Sequence, residues 1–250
     1  MKLKSTAWSI LLASLFSFTS NAKEIRGTEA DKKVKGAEKI IESQRCDVPE
    51  FVLFRKEAQP SFDKFESIAH QQMAIAPTYG FKLLNSDKDQ LGMVHYRYQE
   101  TFNGIPMEGT MYIVHVKNGK IVSMNGQLYN AVHTASTAYM SEADALKKAL
   151  EFVHADVYRW QIPANENQIK SIKNDPAATW YPKGELFLAP VNNNFSSANY
   201  RLAYRFDIYA DRPLSRQYVF VDASTGEVIH TVNRIWNANA IGTAVTQYSG

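Results

Sequence analysis

The sequence predicts an α+β fold of two successive units, each a helix packed on an antiparallel sheet. Three observations predict it. Apolar residues recur at helical spacing over 62–73, the period falls to two from Val94 onward between Asn-Gly turns, and a second helix-then-strands succession starts at Ser141. At 250 residues, 45% of them hydrophobic and 21% charged, the chain has material for one large domain or two of roughly 100 residues.

The first segment stands outside that plan. Lys2 and Lys4 precede an apolar run over 7–18, and Ser20-Asn21-Ala22 supplies the small residues a signal peptidase reads. Residues 1–22 are therefore expected to be a signal peptide, cut between Ala22 and Lys23, with a secreted or periplasmic product. The run is shorter than the ~20 apolar residues of a spanning helix, so no stable membrane anchor is expected. Its removal leaves 26 basic against 25 acidic residues, a formal charge of +1. That balance offers no electrostatic footprint for nucleic acid. Cys46 is the only cysteine, so no internal disulfide can form, and a small, partly buried side chain is expected there.

Over 23–50 seven basic and seven acidic residues stand among few large apolar ones, which predicts a solvated charged leader and no core element. Pro60-Ser61 then starts a helix whose Phe62, Phe65, Ile68, Ala69 and Met73 form one apolar face, closed by Pro77 and Gly80. Val94, Tyr96 and Tyr98 alternate with His95, Arg97 and Gln99, so one face of a strand is buried and the other polar. Asn103-Gly104 and Asn118-Gly119 tolerate positive φ and predict hairpin turns on either side of a strand over 112–116. Beyond a Ser/Thr-rich spacer at 134–137, Ser141 with Asp144 three residues on predicts a capped second helix. A polar loop is expected over 163–182. Strands follow at 185–191, 200–209 and 217–221, and a last hairpin at 222–226 leads into 227–231.

Catalytic machinery is not evident. The six histidines, at 70, 95, 115, 133, 154 and 230, include no His-Glu-x-x-His pair that would place two imidazoles on one helix face. His95 and His115 lie on strands and can face each other, but the spacing supplies no third ligand. No serine sits in a Gly-x-Ser-x-Gly turn, no glycine-rich phosphate loop is present, and nothing singles out Glu100, Glu108 or Asp207 among the 25 acids. The 13 tyrosines and 13 phenylalanines are expected mainly in strand cores.

Leu91-Gly92, His95, Arg97, Gln99, Asn103-Gly104-Ile105-Pro106 and Gly109, followed by Val114 and the Asn118-Gly119 turn, closely resemble the fungalysin/thermolysin propeptide motif. Met107 stands where that motif more often has valine, at a position expected to be half buried. The second unit resembles a PepSY domain, through the helix from Ser141 and the hairpin around Asp222 and Gly226. Residues 242–250 resemble the first strand of the catalytic domain of thermolysin-like (peptidase family M4) proteases.

The resemblance implies two cystatin-like domains, at 51–130 and 136–232, a processing junction at 233–241, and a zinc endopeptidase beyond Gly250. Zinc, and calcium with it, would belong to that domain; no cofactor is expected in this chain, which lacks the His-Glu-x-x-His helix and is not itself expected to be an enzyme. As a prosegment it would inhibit the protease domain in cis and assist its folding. Gly92, His95, Arg97, Gln99, Gly104, Pro106 and Gly109 would shape or present a docking surface. Thermolysin-like enzymes cut before large apolar residues, so the bonds Arg234–Ile235, Ile235–Trp236 and Ala240–Ile241 are the candidates. The alternative is a free-standing secreted cystatin-like inhibitor or binding module.

Overall fold

The structure, a computed structural model, describes residues 23–43, 48–129 and 138–235. The expectations for the signal peptide and Ala22, for Cys46, for the 134–137 spacer, for Trp236, Ala240 and Ile241 and for 242–250 lie outside the described residues. In chain order the elements are β1 (Glu24–Arg26), α1 (Gly27–Lys33), β2 (Ala37–Glu42), β3 (Pro49–Phe54), α2 (Phe65–Gln72), β4 (Tyr79–Lys88), β5 (Val94–Phe102), β6 (Ile105–Pro106), β7 (Met111–Lys117) and β8 (Lys120–Gln127). A second set follows: α3 (Glu142–Val153), β9 (Val157–Tyr158), α4 (Pro163–Lys173), β10 (Glu185–Pro190), β11 (Tyr200–Arg212), β12 (Ser215–Asp222) and β13 (Val228–Asn233). They build two antiparallel sheets. The first runs β1-β2-β3-β8-β7-β5-β4 with β6 beside β5, and the second β10-β11-β12-β13 with β9 beside β11. The expected α+β class, a helix on each antiparallel sheet, is the one observed.

Residues 23–43 are not the solvated leader expected of their charge. They contribute β1 and β2 to the first sheet with α1 between them, and Ala30, Val34, Ala37 and Ile40 are buried in its core. A strand or short helix at the rim needs only one thin apolar face, and the ions around it neutralise one another. The Asp31 carboxylate accepts from Lys35 Nζ (2.9 Å), Arg55 Nη2 (2.5 Å) and the Gly36 N–H (2.9 Å). Lys35 first, then Arg55, hold that carboxyl far below the usual range.

Helix α2 begins later than Pro60-Ser61 implies, after a 3-10 turn over Phe62–Lys64, and buries Phe65, Ile68 and Ala69 against the sheet. The alternation in β5 is real. Tyr96 stacks on Phe62 at 4.2 Å and Tyr98 on Phe65 at 4.9 Å between ring centroids, so His95, Arg97 and Gln99 take the other face. Both Asn-Gly turns have positive φ at both residues, the geometry that joins two strands through two residues without splaying them. Strand β4 carried no such signal. It is an edge strand, exposed from Lys82 to Lys88, and only Tyr79 and Phe81 at its start face the core, too few to impose alternation.

In the second unit the Ser141 hydroxyl accepts from the Asp144 N–H (3.1 Å), capping α3 as expected. Ser141→Ala should lower stability by about 1 kcal/mol in chemical denaturation, with an unchanged urea slope. The loop expected over 163–182 is corrected at its start: α4 occupies Pro163–Lys173, with proline in its first turn and Asn174 closing it in the left-handed region at φ 49°. Ile169 is its one buried residue, too little for an apolar period to register.

One buried cluster joins the two sheets, while the second has two further clusters of its own. Leu188, Tyr200, Leu202 and Ala223 of the second unit pack into the same buried cluster as Met107, Tyr112, Met124 and Tyr129 of the first.

Candidate functional site

The motif residues fall into two places. Those on β5 lie on the face of the first sheet opposite α2. There Asp89, in the turn between β4 and β5, accepts from the Leu91 (2.9 Å) and Met93 (2.8 Å) N–H groups, while Gly92 supplies the φ of +80° that closes the turn. The Met93 N–H is the largest influence lowering the Asp89 carboxyl. Its second oxygen lies 3.3 Å from His95 Nε2. His95 Nδ1 meets His115 Nδ1 at 2.6 Å, and His115 Nε2 meets Asn125 Oδ1 at 2.5 Å. Two imidazole nitrogens that close share a proton, one donating and one accepting. A polar chain thus crosses β5, β7 and β8, flanked by the Arg97–Asp87 ion pair. It contains no serine, threonine or cysteine.

The remaining motif residues form a clasp between the units. Gly104 turns the chain at φ +80° into β6, where Pro106 lies opposite Thr101 and Ile105 opposite Phe102. Gln99 Nε2 (3.0 Å) and Thr110 Oγ1 (2.9 Å) both donate to the Met107 carbonyl and fix the following bend. Met107 then pairs with Leu188 of β10, the Glu108 N–H donates to the Leu188 carbonyl (2.8 Å), and Tyr200 Oη donates to the Glu108 carbonyl (2.8 Å). Met107 is completely buried, not half buried as expected, because it lies in the seam. At Gly109, φ is +76° and a Cβ would stand 2.3 Å from the Phe195 ring. Burial raises the Glu108 carboxyl against the pull of Arg205.

Beneath the clasp lies Glu100, 1% exposed, which the sequence does not distinguish. One carboxylate oxygen accepts from the Tyr129 N–H (2.7 Å), and the other has no partner among the described residues. Burial pushes its pKa up to about 7. An acid in strand core leaves no trace in spacing, so only the paired geometry identifies it.

At the C-terminal end, the Arg234 N–H still donates to the Arg216 carbonyl (2.8 Å), so the sheet's pairing reaches one residue past β13. Ile235 is the last described residue. Lys23, at the other end, accepts from the Glu42 N–H through its carbonyl (3.0 Å). Among the described residues no group of three or more His, Cys, Asp or Glu side chains could hold a metal ion. None of the described helices is long and apolar enough to cross a membrane.

A family model described as "Fungalysin/Thermolysin Propeptide Motif" matches residues 79–128, the stretch from β4 to the end of the first sheet. Bacillolysin of Bacillus amyloliquefaciens is 30% identical over 174 residues, covering 68% of this chain and 30% of that protein. The hemagglutinin/proteinase of Vibrio cholerae is 27% identical over 183 residues, covering 71% of this chain and 27% of that protein. Among solved structures, the Bacillus megaterium YpeB C-terminal domain is similar at a TM-score of 0.37 and 13% identity, covering 86% of this chain and 91% of that one. The chain spans about 30% of the length of these proteases.

Proposed function

We propose, from the propeptide motif over 79–128 and the likeness to the prosegments of thermolysin-type proteases, that this chain is the propeptide region of a secreted zinc metalloendopeptidase zymogen. It acts on the protease domain that would follow Gly250, as intramolecular inhibitor and as folding assistant. The observation that carries this reading is that the motif's own residues tie both sheets together at Met107 and Glu108, while the pairing of the second sheet among the described residues runs on to Arg234, at the edge of the junction. A two-sheet body joined through one buried cluster suits a tethered inhibitor, because the tether supplies an effective concentration of order mM. In this reading the proton-sharing histidines and Arg97 shape the face of the first sheet, and 233–241 is the severable junction.

The test is expression of the whole open reading frame with and without residues 23–235, reading chelator-sensitive proteolysis in the secreted fraction. Deletion should abolish active protease, and residues 23–235 added back in excess should inhibit the mature enzyme. A frame that encodes no His-Glu-x-x-His beyond Gly250 would overturn the proposal in favour of a free-standing module.

A further inference from the structure

The second sheet ends in a lock built on one carboxylate. Asp207, on β11, takes Arg216 of β12 at both oxygens, Nε to Oδ1 at 3.0 Å and Nη2 to Oδ2 at 2.7 Å. Arg234, just beyond β13, pairs with the same Oδ2. Each arginine also lies against aromatic rings: Arg234 4.4 Å from the Tyr218 centroid, Arg216 5.1 Å from those of Trp180 and Tyr209. The three charged side chains are only about a quarter to a third exposed.

We infer that Asp207 is a positioning residue that sets the N-terminal limit of cleavage in the junction, by holding the Arg234–Ile235 bond in the sheet and away from an endopeptidase. The inference rests on reading 233–241 as that junction. An endopeptidase takes an extended segment and makes main-chain hydrogen bonds of its own to it. Here the Arg234 N–H is already committed to Arg216, and Asn233 lies opposite Gln217 in the β12–β13 ladder. The end of β13 must therefore fray before the bond can be cut. Fraying breaks a charge-assisted contact and a guanidinium–ring contact together. Arg216 plays a separate part, since its two hydrogen bonds orient the carboxylate so that Oδ2 meets the departing chain. Of the three bonds that precede Ile235, Trp236 and Ile241, the first is withheld, and maturation falls C-terminal to Ile235.

The test is limited proteolysis of the folded chain by an added thermolysin-type endopeptidase, with peptide masses reporting each cut. In the wild type the Arg234–Ile235 bond should be cut far more slowly than in the denatured chain. Asp207→Asn and Arg234→Gln should each raise the cutting rate at that bond about tenfold relative to cuts elsewhere in the chain, since the rate follows the frayed population. A general loss of structure would raise all cuts together, so the ratio separates positioning from folding. Should Asp207→Asn fail to fold, Arg234→Gln decides alone, because it removes only the chain-end member of the lock. Wild-type cleavage at the denatured rate, or an unchanged ratio in the folded variants, overturns the inference. Because the protease is added, this result does not depend on whether the chain has a cognate protease.

Discussion

Gly109→Ala is expected to open the seam between the two sheets and lower stability by about 3 kcal/mol. Two costs combine. The backbone φ of +76° lies in the left-handed region, where an L side chain is strained, and the added Cβ would stand 2.3 and 2.7 Å from two carbons of the Phe195 ring. Phe195 must then leave its place against the shared core, and with it the packing over His230, whose ring centroid is 5.8 Å away. Gly109 also follows the two residues that join the sheets, Met107 and Glu108, so strain there is delivered to their pairing with Leu188. Urea unfolding measures the effect, and a double-mutant cycle assigns it. If overlap with the ring is a major cause, Gly109→Ala made in a Phe195→Ala background should cost much less than in the wild type. Additive costs would leave the backbone conformation as the sole cause and remove the ring from the explanation.

What was legible in the sequence followed from strong periods and turn chemistry. The burial of Phe65 and Ile68, the division of β5 into Tyr96 and Tyr98 within and His95 and Arg97 without, the two Asn-Gly turns and the Ser141 cap all arise from interactions close along the chain or repeated along it. The facing of His95 and His115 was open to the same reasoning, since both lie on strands of one hairpin system. What was not legible depended on distant partners. The 23–43 segment reads as solvent-exposed until Arg55 and the strand over 49–54 are there to take up Asp31 and Ile40. The clasp reads as a surface motif because nothing in the sequence of 104–109 says that Leu188 and Phe195, some 80 residues on, will cover it. Asp207 looks like any other acid until β12 and β13 bring two arginines to it.

Glu100→Gln is expected to remove most of the chain's loss of stability between pH 5 and pH 8. In the folded chain burial raises the Glu100 carboxyl to about 7, against an ordinary value of 4.5. The unfolded chain therefore releases this proton first as pH rises, and unfolding is favoured. The stabilising contribution is full below about pH 4.5, declines as pH climbs, and is lost once pH has passed through the folded value near 7. The shift corresponds to about 3 kcal/mol across that window. Above it an ionised, half-partnered carboxylate is held against Tyr129, whose ring packs on Tyr200 of the second unit at 5.5 Å. The place where charge appears is thus beside the shared core, and the expected consequence is a looser seam at alkaline pH. Glutamine keeps an oxygen for the Tyr129 N–H and cannot ionise. His230, buried between Phe195 and Phe220 with its pKa lowered by burial, acts in the opposite direction, withdrawing stability as pH falls below its ordinary 6.5. The two groups oppose each other in the weakly acidic range, so the variant should show the acid limb of His230 and, toward alkaline pH, only the decline that the raised Glu108 carboxyl contributes. Melting curves from pH 5 to 9 decide the matter: parallel profiles for wild type and Glu100→Gln would show that Glu100 is not the group responsible.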